Sequence, residues 1–242
     1  MKKFLPLIFL LLGVLVLVGV FFLIKGKKEV PQDEEEKVPE IAFENRPITS
    51  LTPSEDGHWL KLQIDKVKIK AKSLDYELLY KLPDGRTQGV PGTVDLSSTT
   101  KIERDLLLGS ESSGKFRYDE GVKEGTLTLR FRNDKGKLMA KFTTSFALSS
   151  ESMELSSVEG KFKFSLDKSS DAYFVVMETF GAPDGYPSGI AGGPYGVFVG
   201  SNEAISGVAS FGSGTVYAYY SGNWTKLDGG KSQNLGIFVS SP

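Results

Sequence analysis

Thr126-Leu127-Thr128-Leu129-Arg130-Phe131-Arg132 is followed by Asn133-Asp134-Lys135-Gly136 and then by Lys137-Leu138-Met139-Ala140-Lys141-Phe142. Leu127, Leu129 and Phe131 alternate with Thr126, Thr128, Arg130 and Arg132, so an extended chain here is apolar on one face and polar on the other. Asn, Asp and Gly between two such runs reverse the chain, and Leu138, Ala140, Phe142, Phe146 and Leu148 carry the apolar face back. A period of two with turn chemistry at its centre predicts a β-hairpin.

The same period extends toward the amino terminus. Leu60, Leu62 and Ile64 share one face, after which Val67, Ile69 and Ala71 take the opposite phase. A slip of one residue turns the side chains over, so a bulge or a crossing between sheets is expected near Asp65 and Lys66. Lys66, Lys68, Lys70 and Lys72 then form a comb on the far face. Such a comb is either a contact for an anionic polymer or the protection of an edge strand against pairing, and the second use is the commoner. Tyr76, Leu78, Tyr80 and Leu82 lead into Pro83-Asp84-Gly85, and Ile102, Leu106 and Leu108 mark another strand. With short runs at Thr93–Leu96 and Lys115–Tyr118, about seven strands fit in some 90 residues, the count and size of an immunoglobulin-like or fibronectin-III-like β-sandwich.

Beyond the Ser-rich stretch Ser149–Ser157 the texture changes to fewer charges, more Gly and more aromatics. Phe162, Phe164 and Leu166 alternate, but Ala172–Phe180 is apolar on both faces, as a central strand covered on both sides must be. Short runs around Tyr195–Val199, Val208–Phe211, Thr215–Tyr220, Asn223–Leu227 and Leu235–Val239 predict a second β-module, sandwich or small barrel. The expected fold is therefore all-β, two tandem sandwich modules over 58–150 and 151–242.

Phe4–Ile24 is a run of 21 residues without charge. As a helix it spans about 30 Å, the thickness of a bilayer core. It ends in Phe21-Phe22-Leu23-Ile24 and then Lys25-Gly26-Lys27-Lys28, not in the small residues of a cleavage site, so residues 1–28 read as an uncleaved transmembrane signal-anchor. Residues 29–57 set Pro31, Pro39, Pro47 and Pro53 among acids, the composition of a disordered stalk. Lys2 and Lys3 balance the lysines after the run, so flanking charge does not orient the helix. The short charged leader favours carboxyl-terminal modules outside the cytoplasm. Net charge is segregated along the chain: +5 over 1–28, −7 over 29–57, +5 over 58–150 and −4 over 151–242.

Composition removes most catalytic chemistries. With no Cys there are no disulfides, thiolate nucleophiles, Cys-ligated zinc or iron–sulfur clusters. His58 is the chain's only histidine, so multi-His metal sites are out, and at the head of the Trp59 strand it reads as a solvated strand-start residue. Ser98-Thr99-Thr100-Lys101 and Ser165-Leu166-Asp167-Lys168 match S-x-x-K, yet the partner motifs S-D-N and K-T-G are missing. Asp119 with Glu120, and Asp167 with Asp171, lack the ligand spacing of a known calcium loop and read as turn residues. No metal, cofactor or nucleic-acid partner is expected.

The segment Gly181–Gly196 concentrates Gly and Pro in a long loop, a frequent place for ligand contacts. Tyr186 and Tyr195 lie within it; Tyr217 and Tyr219 share a strand face, with Trp224 just beyond. Tyr and Trp offer rigid area with a polar tip, so these five are the candidate ligand-binding residues, and Lys66, Lys68, Lys70 and Lys72 the candidate contacts for an anionic polymer. The expected function is non-catalytic: a single-pass membrane protein whose outward modules bind an envelope glycan or exported protein, or serve an envelope complex. The alternatives are a carbohydrate-active enzyme with carboxylates that converge only in the fold, and a structural spacer.

Overall fold

The computed structural model describes residues 38–242, apart from Ser98, Thr100, Asn202 and Glu203. The expected anchor and the first part of the expected stalk lie outside the described residues. Among the described residues no helix is long and apolar enough to cross a membrane.

The fold is all-β, and its strands, numbered in chain order, form four sheets. The largest has nine strands in the spatial order β16, β15, β18, β13, β12, β9, β8, β3, β4, every neighbouring pair antiparallel. Their ranges are β3 (Ser73–Lys81), β4 (Thr87–Asp95), β8 (Glu124–Arg132), β9 (Leu138–Ser149), β12 (Phe174–Glu178), β13 (Gly192–Val199), β15 (Thr215–Tyr220), β16 (Asn223–Lys226) and β18 (Ile237–Ser241). A three-stranded sheet holds β1 (Ile48–Pro53), β2 (Trp59–Asp65) and β5 (Ile102–Leu107). A four-stranded sheet holds β10 (Glu154–Ser156), β11 (Lys163–Leu166), β14 (Gly207–Ser210) and β17 (Lys231–Ser232). Finally β6 (Gly109–Ser112) and β7 (Lys115–Tyr118) pair, among the described residues, only with each other.

Two hydrophobic clusters fill the spaces between sheets. In the first, Leu51, Leu60, Leu62, Ile64 and Leu106 of the three-stranded sheet meet Leu78, Leu127, Leu129 and Phe146 of the large sheet. In the second, Leu155, Phe162 and Phe164 meet Phe174, Val176, Ala218 and Phe238. The clusters divide near residue 150, but the sheet does not: Ala147 of β9 pairs with Val176 of β12, so both halves of the chain share one ladder. Strand β12 serves both sides, with Val175 and Met177 in the first cluster and Phe174 and Val176 in the second. Its apolar character on both faces has this physical cause.

Two expectations are corrected. Residues 48–53, assigned above to the stalk, are a strand whose partner is β2 (Leu51 opposite Leu62) and whose Leu51 is fully buried. One leucine among Thr, Ser and Pro gives no periodic signal, while the ladder and a shared cluster supply the stabilisation. Residues 66–72 form no strand, so the lysine comb protects no edge. The chain leaves the three-stranded sheet at Lys66, where φ is +57°, and enters the nine-stranded sheet at Ser73, the crossing expected near Asp65 and Lys66.

Candidate functional site

The residues selected from sequence are not gathered into one surface. Tyr195 is a core residue, 4 % exposed; its ring stacks on Phe162 at 5.5 Å and its hydroxyl donates to Glu159. Burial first, and then Glu159, push the Tyr195 hydroxyl well above the ordinary phenol range. Tyr186 packs edge-on against Phe43 at 5.2 Å. Tyr217, Tyr219 and Trp224 do come together: Tyr217 and Tyr219 lie on one face of β15, and Trp224 sits opposite Tyr219 with ring centroids 5.3 Å apart. The indole N–H of Trp224, however, is spent on the Pro183 carbonyl at 3.2 Å.

The glycine-rich segment begins as a loop that is tied down. Gly181 donates to Pro47 O at 2.9 Å, and a Cβ there would stand 2.5 Å from Arg46 O, so glycine is what lets the two backbones meet. Lys66 reaches across to Ala182 O at 3.1 Å and to the Asp184 carboxylate, which its ammonium holds below the usual carboxylate range. Of the comb, Lys66 is thereby consumed in a structural contact, Lys68 approaches Glu44 O at 3.4 Å, Lys72 pairs with Asp95 at 3.4 Å, and Lys70 is exposed.

A different group of residues assembles at the other end of the three-stranded sheet. Ser54, Asp56 and His58 form the turn between β1 and β2; β5 ends at Leu107, and the β6–β7 hairpin follows directly. Two hydrogen bonds fix its root: Leu108 N–H donates to His58 O and Asp119 N–H to Leu108 O, each at 2.9 Å. Phe116 and Tyr118 alternate with Lys115 and Arg117 along β7, which turns both rings to one face of the hairpin. The rings of Phe116, Tyr118 and His58 are nearly parallel, with successive centroids 6.3 Å and 4.1 Å apart, and Trp59 meets Phe116 edge-on at 5.6 Å. Phe116 and Tyr118 remain 45 % and 38 % exposed, the two most exposed aromatic side chains described.

Carboxylates border this aromatic row. Asp56 Oδ2 stands 3.1 Å from His58 Nδ1, and Glu120 Oε1 stands 3.4 Å from Nε2. The Ser54 hydroxyl and the backbone N–H of His58 hold the Asp56 carboxyl down at about 2, so it is ionised throughout the physiological range. Asp119 accepts the Tyr80 hydroxyl at 2.9 Å. Behind the imidazole lies a cavity of about 350 Å³, lined among others by Asp56, His58, Asp119, Glu120, Lys123 and Tyr173. His58 is thus half-buried at a junction of ring and carboxylate contacts, not the solvated strand-start residue expected from its sequence position, and Asp119 and Glu120 are more than turn residues.

Sequence reading passed over this site because Lys115–Tyr118 is only a four-residue run and its ring partners, Trp59 and His58, lie 57 and 60 positions away. The available signal was an alternation of cations with aromatics beside Gly114, in a strand too short to contribute to a core. Among the described residues no group of three or more His, Cys, Asp or Glu is placed to hold a metal ion. Compared with known protein families, curated proteins and solved structures, the chain matches none at a significant level.

Proposed function

We propose that this is a membrane-anchored, extracytoplasmic binding protein that engages an envelope glycan, without catalysis, through the Trp59–Phe116–Tyr118–His58 row and the adjoining polar cavity. The observation that carries the reading is the exposure of Phe116 and Tyr118 on a hairpin with no other sheet partner among the described residues. Folding does not use that apolar area, and exposed aromatic clusters rimmed by polar groups mark interaction sites. The flanking carboxylates of Asp56 and Glu120 supply acceptors for hydroxyl groups, and polar residues, among them Asp119, Lys123, Ser149 and Ser150, line much of the adjoining cavity.

Three further features support the reading. The uncharged run Phe4–Ile24 is long enough for a bilayer. The chain enters β1 through residues 43–47, whose contacts with Tyr186, Gly181 and Lys68 put them at the end of the three-stranded sheet away from the hairpin. For the non-catalytic part, both imidazole nitrogens face carboxylates, so His58 is not set against a hydroxyl or thiol as a nucleophile's base would be.

Cosedimentation of the detergent-solubilised full chain with purified, protein-free envelope polysaccharide tests the reading. The intact protein is expected to pellet, and the Phe116→Ala/Tyr118→Ala pair to weaken binding about thirtyfold or more, as loss of an aromatic hot spot of about 2 kcal/mol does. Lys137→Ala, in the β8–β9 turn, should bind as the parent does. Absence of pelleting by the intact protein would remove the glycan and leave an exported protein as the partner to seek. Undiminished pelleting by the double variant would remove the site.

A further inference from the structure

We propose that His58 is the positioning residue of the β6–β7 hairpin, and that its protonation fastens the aromatic row to the body of the protein. A two-stranded hairpin without a third strand is marginal in water. This one is joined to the rest of the fold at its root, by the hydrogen bonds at Leu108 and the Tyr80 hydroxyl beside Gly109 and Asp119, and farther out by two ring contacts, Phe116 on Trp59 and Tyr118 on His58.

The chemistry of the second contact depends on the charge of the imidazole. A neutral ring carries one N–H, so it can satisfy only one of two flanking carboxylates and turns a lone pair toward the other. His58 Nδ1 is shielded from solvent and sits 3.1 Å from Asp56 Oδ2, yet off the line of a hydrogen bond; Nε2 sits 3.4 Å from Glu120 Oε1. Addition of a proton converts both approaches into ion pairs and turns the face-to-face contact with Tyr118 at 4.1 Å into a cation–π contact. All three changes act in the same direction.

The other charged groups near the ring are mostly acidic. Asp56, on the same turn, is already ionised, and Asp119, from the segment after β7, is engaged by Tyr80. Glu120, from that same segment, adds a second negative partner, while Lys123, which also lines the cavity, is the one cation among its described lining residues acting against them, and Tyr173 is neutral. Imidazole is the side chain whose ordinary titration falls between pH 5 and 8. The hairpin is therefore held more tightly when the imidazole is charged than when it is neutral.

Hydrogen exchange of the full chain in detergent, followed by mass spectrometry and corrected for the intrinsic pH dependence of exchange, reads the hairpin directly. Protection over 109–118 should be about tenfold greater at pH 5 than at pH 8, the gain expected from two partly exposed ion pairs and a cation–π contact together. Protection in β8 should change by less than this, which reports that the core is intact. In His58→Gln the hairpin should exchange at the pH 8 level throughout, and Glu120→Gln should retain part of the step. An unchanged hairpin in the parent protein across this range, or a full step surviving in His58→Gln, would overturn the assignment. Because no ligand enters the measurement, its outcome is independent of the glycan reading.

Discussion

Glu178, the last residue of β12, is half-buried, and burial first and then the neighbouring Glu159 push its carboxyl above the usual carboxylate range. A raised carboxyl means that the native state disfavours the charge. The resulting penalty is fully present above the folded-state value and fades as the pH falls through it. Glu178→Gln is therefore expected to raise the urea midpoint at pH 7, and the advantage should shrink toward pH 4. An equal or lower midpoint at pH 7 would show that attraction to Arg46 and Lys161 outweighs desolvation. Asp56 has the opposite sign: its carboxyl is held low by Ser54 and His58, so the stability it contributes is present above about pH 4 and is lost as the pH drops toward 2.

At the scale of elements, β12 is the strand on which both clusters close. Met177 and Phe174 are each fully buried, on opposite faces. Truncation of a buried Met to Ala costs about 2–5 kcal/mol, and of a buried Phe about 3–5 kcal/mol. Met177→Ala should lower the urea midpoint by that measure and, since the strand is shared, should loosen exchange in β11 and β14 as well as in β2. Loss of protection confined to β2 would mean that the clusters unfold separately. Strand β12 was legible in the sequence because its signal is composition: an apolar run on both faces needs cover on both sides. The β8–β9 hairpin was legible because Asn133–Gly136 fixes its register within a few residues. What escaped was non-local. Strand β1 reads as polar linker because only its pairing with β2 makes it a strand, and the pairing of β9 with β12 skips over β10 and β11. The same holds for the site. Tyr217, Tyr219 and Trp224 met because a tight hairpin joins them, whereas Tyr195 was misplaced because a sheet face cannot be assigned as inner or outer until the covering sheet is known. His58 acquired its role only through β7 and the segment after it.

For the whole molecule, the shared ladder decides whether the halves are separable. Residues 38–242 form one compact unit, although charge and texture change sign near residue 150. A cut there removes Val175, Met177 and Phe180 from the first cluster. Each fully buried side chain of this kind is worth about 1.5–3 kcal/mol, so the loss is about 5–9 kcal/mol, comparable with the entire stability of an ordinary domain. It also bares the edge of β9 on one piece and of β12 on the other, leaving unpaired backbone groups beside apolar side chains. Fragments 38–150 and 151–242 are therefore expected to show no cooperative urea transition when purified singly, and to regain one when refolded together. Cooperative unfolding of both fragments alone would mean that each cluster carries its own stability and that the nine-stranded sheet merely abuts two independent sandwiches. Failure of the mixture would leave covalent continuity through Ser150–Glu151 as a requirement, since the effective concentration, on the order of millimolar, that a short connection provides is then what brings β9 to β12.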